Sequence, residues 1–585
     1  MGEARQLSIV LLSTLLIGVL GLALAPRMPR MISGGDVVVE EYQATIYPNG
    51  TLVEDYLYRI EVSGRYRMLY RAWEVPLSVE RLDRPYVEPV RVEPPIGAVG
   101  YVRDHNGRVW ASAHAQDIAT LAEFDEAGCY NPERFDAGEY RIRYVFKLHP
   151  PIRYDGEHCH LNLLLADGYL PYLKVVIRIV DGGLVKVAPY PASMRVLKRE
   201  DGVEIHGSSG MDEVLGVELL LKAEALSLLE GFVEEAEGLE ASMAWANRLY
   251  RAQYLLVEGL RLTSMLLTLL SPLILLGLYL RYGRERHFVI PRYLSYVPNP
   301  RRKPWVVNLV FKSDALDFDE DGFYATLLDL HRRRKIEIDV RGESLLIRVL
   351  DPNVDDEYER RALRLISKLS IGGVLNTSLF KELAESRDAL LGLMDDIQYL
   401  TMSPGRRVAL RLIISGKGRV VWLIPTSIIL ITASFVAMLT LPYMHSLTLQ
   451  ALTYSALLLI QGIIAFSAPS TLFGRWRGFT YKEKLEWDSF RRFLSDMAMI
   501  KRYAPQDLSI WGDWLIYGTA LGVGDKVVEA MRSLSIPLID AAIAQTMTTA
   551  FRPIITASRP TRGGGGRGGG IGGGGGFGGG GGRVR

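Results

Sequence analysis

The run from Leu262 to Leu280, LTSMLLTLLSPLILLGLYL, carries no charge and is followed at once by Arg281, Arg284 and Arg286. At about 1.5 Å per residue it can cross a hydrocarbon core of about 30 Å. Lys and Arg gather at the cytoplasmic end of such spans. The run therefore divides the chain into a part expected outside the cytoplasm and a later part expected inside. A hydrophobic fraction of 48% and a mean hydropathy of +0.10 fall short of a polytopic transporter. They fit a few spans carrying soluble domains, and 585 residues call for several cores. The net charge of +2 implies no overall electrostatic partner.

Residues 1–25 hold a second apolar run, Leu7 to Ala25, preceded by Arg5. Ala23-Leu24-Ala25 has the form of a signal-peptidase site, whereas Pro26 hinders cleavage, so a removed signal peptide and a retained anchor both stand. Residues 36–228 alternate apolar and polar, which predicts strands. Asn49-Gly50 between two alternating runs predicts a tight hairpin, because both residues tolerate positive φ. Many strands with turn signals predict an extracytoplasmic all-β sandwich. Both cysteines, Cys129 and Cys159, fall there. A disulfide is permitted in that compartment; the alternatives are unrelated burial or, with His158 and His160, metal ligation. No cofactor is indicated, and no catalytic, cofactor-binding or metal site is assigned.

Residues 229–261 change to an acidic and then aromatic texture, predicting a juxtamembrane helix leading into the span at 262–280. A proline-punctuated basic linker occupies 281–303. In 304–400 a helix precedes two period-two runs, Ile336 to Val340 and Leu345 to Val349. This order predicts a cytoplasmic α+β domain resembling a winged helix. Arg332, Arg333, Arg334 and Lys335 close its helix and are candidates for contact with anionic lipid or nucleic acid. Asp317 to Gly322 opens like a calcium loop, but Leu328 stands where a bidentate Glu belongs, so these acids are expected to cap the helix. Spans at 420–441 and 447–472 form a membrane hairpin with basic flanks, Arg419 before it and Arg475 and Arg477 after it. These spans carry no ionisable residue apart from His445 at the turn, which disfavours a transport path. Residues 478–556 predict a cytoplasmic α-helical domain, with Trp487, Phe490, Phe493, Leu494 and Met497 on one apolar face. The glycine-rich tail, 557–585, is expected to be disordered.

Several weak motifs occur in order along the chain: Asn49-Gly50-Thr51-Leu52-Val53-Glu54, Leu161-Asn162-Leu163, Leu170-Pro171-Tyr172, Lys303-Pro304-Trp305, Ala325-Thr326-Leu327-Leu328, Gly474-Arg475-Trp476 and Trp514-Leu515-Ile516-Tyr517-Gly518. With the glycine-rich tail, they resemble the YciQ-like predicted membrane proteins, a family defined by a domain of unknown function. The resemblance implies an extracytoplasmic β-domain, inner helical domains and an unstructured tail, and it assigns no catalytic residue. No phosphate-cradling, HExxH, GxSxG or CxxC motif occurs. The expected function is a non-enzymatic envelope sensor, adaptor or binding protein in the cell membrane. Its partners would be membrane lipids and another membrane or envelope protein, with the C-terminus cytoplasmic. The alternatives are a membrane-tethered DNA-binding regulator and an extracytoplasmic hydrolase or metalloenzyme.

Overall fold

The computed structural model describes residues 3–33, 35–211, 213–402, 404–405, 407–441, 444–536, 539–559 and 582–585. The chain divides into two compact units. One holds residues 15–271, 423–461 and 570–585, and the other holds 1–14, 272–422 and 462–569.

The first unit is built on the predicted hairpin. Val37–Ile46 and Thr51–Ile60 pair antiparallel. Gly50 takes φ 82°, and the Asn49 side-chain oxygen accepts the Thr51 amide at 3.0 Å. The hairpin lies in the middle of a seven-stranded sheet, where Val37–Ile46 also pairs in parallel with Tyr172–Val180. Two five-stranded sheets complete the β-region, one around His158–Ala166 and Leu215–Lys222, the other around Met68–Ala72 and Glu126–Tyr130. Period-two alternation fixes which side chains enter the shared core. In Thr51–Ile60 these are Leu52, Glu54, Tyr56, Tyr58 and Ile60. Glu54 is the one charge in that series, and it is fully buried.

Arg71 meets Glu54 in the core with an Nε–Oε2 distance of 3.4 Å, and its guanidinium lies over the Trp73 ring. The Tyr42 hydroxyl donates to Glu54 Oε1 at 2.6 Å. Burial pushes the Glu54 carboxyl up, with Arg71 opposing it. Of the alternatives left open for Cys129 and Cys159, the structure has two separate buried thiols. They sit on strands of different sheets, and burial alone holds the Cys129 thiol far above its ordinary value.

Among the described residues four helices are long and apolar enough to cross a membrane: Glu3–Leu24, Leu239–Gly283, Lys417–Thr440 and His445–Ser467. Their surfaces carry leucines and isoleucines that water would not tolerate in such number; Leu16, Leu256, Ile429 and Leu439 are 64–70% exposed. Small and polar residues hold the helices together within the first unit. Thr268 Oγ1 donates to the Tyr454 carbonyl at 2.9 Å, Ser455 Oγ donates to Ser264 Oγ at 2.9 Å, and a Cβ on Gly21 would stand 3.0 Å from Leu457. The juxtamembrane helix and the main span form one helix, Leu239–Leu278, with Pro272 inside it.

The second unit is a helical body with one core running from Leu294 to Ile555. The helix Glu320–Arg332 is followed, as expected, by the antiparallel hairpin Ile336–Arg341 and Ser344–Val349, to which Val374–Asn376 adds a third strand. Asp319 caps that helix by accepting the Asp321 amide. Residues 304–400 and 478–556 share this core: Phe551 packs on Phe323, Tyr324 and Phe380. The apolar face read at Trp487, Phe490, Phe493 and Leu494 is buried.

Most of the glycine-rich tail lies outside the described residues. Its two ends depart from the expected disorder. The helix Ile539–Ser558 extends into it, and Gly582–Val584 forms an edge strand on Met68–Ala72, where Arg583 and the following Arg585 find acidic partners.

The buried Glu54–Arg71 pair generates a stability prediction. Arg71→Met is expected to cost about 3–5 kcal/mol, because it strands Glu54 in the core. Adding Glu54→Gln is expected to restore most of that loss, read by denaturant unfolding of the full chain in detergent.

Candidate functional site

Leu215–Lys222 is a strand in which every residue but the last is buried. Such a strand should be wholly apolar, yet it holds Glu218. Four groups converge there. His160 Nε2 lies 2.6 Å from Glu218 Oε1, the Tyr190 hydroxyl donates to Oε2 at 3.0 Å, and the Asn247 side-chain amide donates to the same oxygen. Asn247 belongs to the helix Leu239–Leu278, so the β-region grips the root of the longest apolar helix through one carboxylate. Burial pushes the Glu218 carboxyl up, but the hydrogen bonds from His160, Asn247 and Tyr190 outweigh it and hold the group below its ordinary value. The contact is reinforced by the Tyr190 and Tyr250 rings, set edge to face at 4.9 Å, and by the ion pair of Lys186 with Glu240. Leu220, Leu239 and Met243 add an apolar patch.

A second feature of the same unit is a groove of about 500 Å³ lined by Pro89, Val90, Pro94, Val99 and Trp110. Val90 and Trp110 are exposed, and Ile96 beside them is fully so. Exposed large side chains such as these, bordered by Arg91 and Ser112, suit a contact surface.

The helical body holds a chamber of about 980 Å³. Its walls bring together Glu3, Glu285, Lys312, Asp314, Lys484 and Arg491. Every one of the inner groups has a structural task. Lys312 pairs with Asp319 and Asp321, Lys484 donates to the Phe311 carbonyl at 2.9 Å, Arg491 donates to the Lys312 carbonyl at 2.9 Å, and Asp314 accepts the Ser470 amide at 2.8 Å. Glu285 accepts the Trp476 amide at 2.6 Å, and burial pushes its carboxyl up to about 7. The chamber mixes apolar walls with acidic and basic groups in equal number, and one of its carboxyls, Glu285, is raised to about 7.

The residues singled out in the sequence are dispersed. Three of the four basic residues at the end of Glu320–Arg332 are paired: Arg332 with Asp513, Arg333 with Asp329 and Glu359, and Lys335 with Asp351. Arg334 is exposed. This leaves little free charge for phosphates. His158 and His160 share a strand face opposite buried Cys159, as period two requires, but His158 turns to Asp155 while His160 binds Glu218. Among the described residues no group of three His, Cys, Asp or Glu could hold a metal ion. Sequence reasoning missed Glu54, Glu218, Asn247 and Glu285. The signal for the first two was present: an acid in phase with buried residues on a strand.

Glu218 and Glu285 give opposite pH dependences. The folded value of Glu218 lies below that of the unfolded chain, so its stabilising contribution is present above about pH 4.5 and fades as the pH falls through the folded value. Asn247→Ala removes one of its donors and is expected to cost about 1–3 kcal/mol at pH 7 and less near pH 4, measured by unfolding at both pH values. Glu285 is raised from 4.5 to about 7, so the folded state holds its proton more tightly and stability falls as the pH rises between those values. Glu285→Gln keeps the acceptor for Trp476. It is expected to match the parent Tm near pH 5 and exceed it at pH 8.

Comparison with known proteins agrees with the two-part organisation. Residues 38–217 match the N-terminal domain, and residues 290–531 the C-terminal domain, of the predicted membrane protein family DUF2207. No curated protein matches the sequence. Among solved structures, an M1 zinc metallopeptidase from Deinococcus radiodurans aligns at 9% identity, covering 32% of this chain and 42% of its own, with a TM-score of 0.19. A mutant of that enzyme bound to a Tyr-Ser-Ala substrate gives 8% identity, the same coverage and a TM-score of 0.19. The chain thus spans less than half the length of these enzymes. On its two domain matches, which together cover most of its length, this chain belongs to the DUF2207 family of predicted membrane proteins.

Proposed function

We propose that the protein is a non-enzymatic, membrane-anchored binding protein. Residues 36–228 face the exterior and take up an envelope component or another membrane protein; the body containing residues 304–400 and 478–556 lies in the cytoplasm and receives that state. The observation that carries this reading is the grip of Glu218 on Asn247, at the root of a helix that continues unbroken through an apolar, lipid-compatible stretch. A rearrangement of the strand Leu215–Lys222 therefore has a stiff lever to act on. The exposed groove beside Val90 and Trp110 supplies a contact surface. The arginines after Leu280, before Val420 and after Leu472 support this orientation. The pairing of Arg332, Arg333 and Lys335 with carboxylates favours an anchoring role for these residues over a nucleic-acid contact.

A photocrosslinking side chain at Ile96, in native membranes, is expected to give one discrete adduct. Hydrogen exchange in the helix Glu320–Arg332 is expected to differ between the adduct and the free protein, and the difference is expected to vanish in Asn247→Ala. Absence of an adduct would count against binding at this face, and an adduct with unchanged exchange would count against coupling.

A further inference from the structure

The strand Met68–Ala72 is the edge of its sheet but for one short neighbour, Gly582–Val584. The neighbour is held as a bound peptide would be. Its ladder runs antiparallel, with Arg583 opposite Tyr70 and Val584 opposite Leu69. The Arg585 carbonyl oxygen accepts two amides, from Arg67 at 2.7 Å and Met68 at 2.8 Å, and the Arg585 amide donates to the Met68 carbonyl at 3.0 Å. The alternate side chains are read separately. Arg583 pairs with Asp167 at 2.6 Å and lies over the Tyr169 ring. Arg585 pairs with Glu123 at 2.7 Å, donates to the Tyr70 hydroxyl at 3.1 Å, and stands 3.9 Å from the buried Glu126. Val584, between them, packs against the main β-core. Main-chain hydrogen bonds supply affinity in such strand addition, and pockets for alternate side chains supply specificity.

Among the described residues three candidate spans separate the β-region from the helix Thr480–Ser495. An odd number of crossings puts the chain's end on the far side of the membrane from this edge. A glycine tract cannot recross the hydrocarbon, because its backbone groups would go unsatisfied there. The seated segment and a cytoplasmic C-terminus therefore exclude each other within one embedded molecule.

We propose that the Met68–Ala72 edge is a peptide-binding site, and that its occupant in the membrane is an extended segment of another polypeptide carrying two arginines in Arg-x-Arg spacing. The chain's own Arg583-Val584-Arg585 stands in for that segment. This deepens the binding role proposed above and rests on it, and it uses a surface separate from the groove at Val90 and Trp110.

The test uses the full chain and a version ending at residue 559, both in lipid nanodiscs, with a fluorescent GGRVR peptide and a GGAVA control. Both proteins are expected to bind GGRVR equally, more weakly at high salt. GGAVA is expected to bind at least about tenfold more weakly, and Asp167→Asn with Glu123→Gln to weaken GGRVR about fivefold. Equal binding of the two peptides, or no GGRVR binding to the shortened protein, overturns the site. Binding to the shortened protein alone overturns the external source and places the chain's own end on this edge. Loss of the peptide site with an intact adduct at Ile96 removes this inference and leaves the broader binding role standing.

Discussion

A helix with no polar face cannot be kept in water, and the described residues include four long apolar helices with exposed bulky side chains. Lipid is the solvent that satisfies them, because a helix closes its own backbone hydrogen bonds and the tails accept the leucines. Everything else is arranged around that constraint. Each of the two units contains stretches of these helices.

Within this frame Glu54, Glu218 and Glu285 each have polar partners. Glu54 is buried beside Arg71 under a roof of tyrosines, where the cost of desolvating two charges offsets much of their attraction. Glu218 is different in kind. Its ligands come from three separate elements, one of them the long helix, so it reports on their mutual position. Glu285 holds a main-chain amide near the end of the same helix, with its proton poised near neutral pH. Two carboxylates near the two ends of one helix thus respond to acid in opposite senses.

Much of this was legible in the residues. The hairpin at Asn49-Gly50, the spans and the apolar face at Trp487 all follow from short-range periodicity and turn chemistry, which local sequence encodes. The placement of Arg332 to Lys335 at a helix end was equally local, but their carboxylate partners Glu359 and Asp513 lie far along the chain. The state of Cys129 and Cys159 depends on which sheets their strands join, and spacing does not encode sheet membership. Glu218 shows the boundary well: its strand was readable and its oddity visible, whereas its convergence with His160, Tyr190 and Asn247 is set by tertiary packing alone.

The central claim is that the β-region and the hairpin-bearing body face opposite sides of one membrane. The two native cysteines are buried, so single new cysteines at exposed Glu133 and Glu343 can report on each side without background. A membrane-impermeant maleimide applied to intact cells should modify Glu133→Cys at once and Glu343→Cys only after lysis. Equal labelling of both before lysis, or the reverse order, would contradict the account.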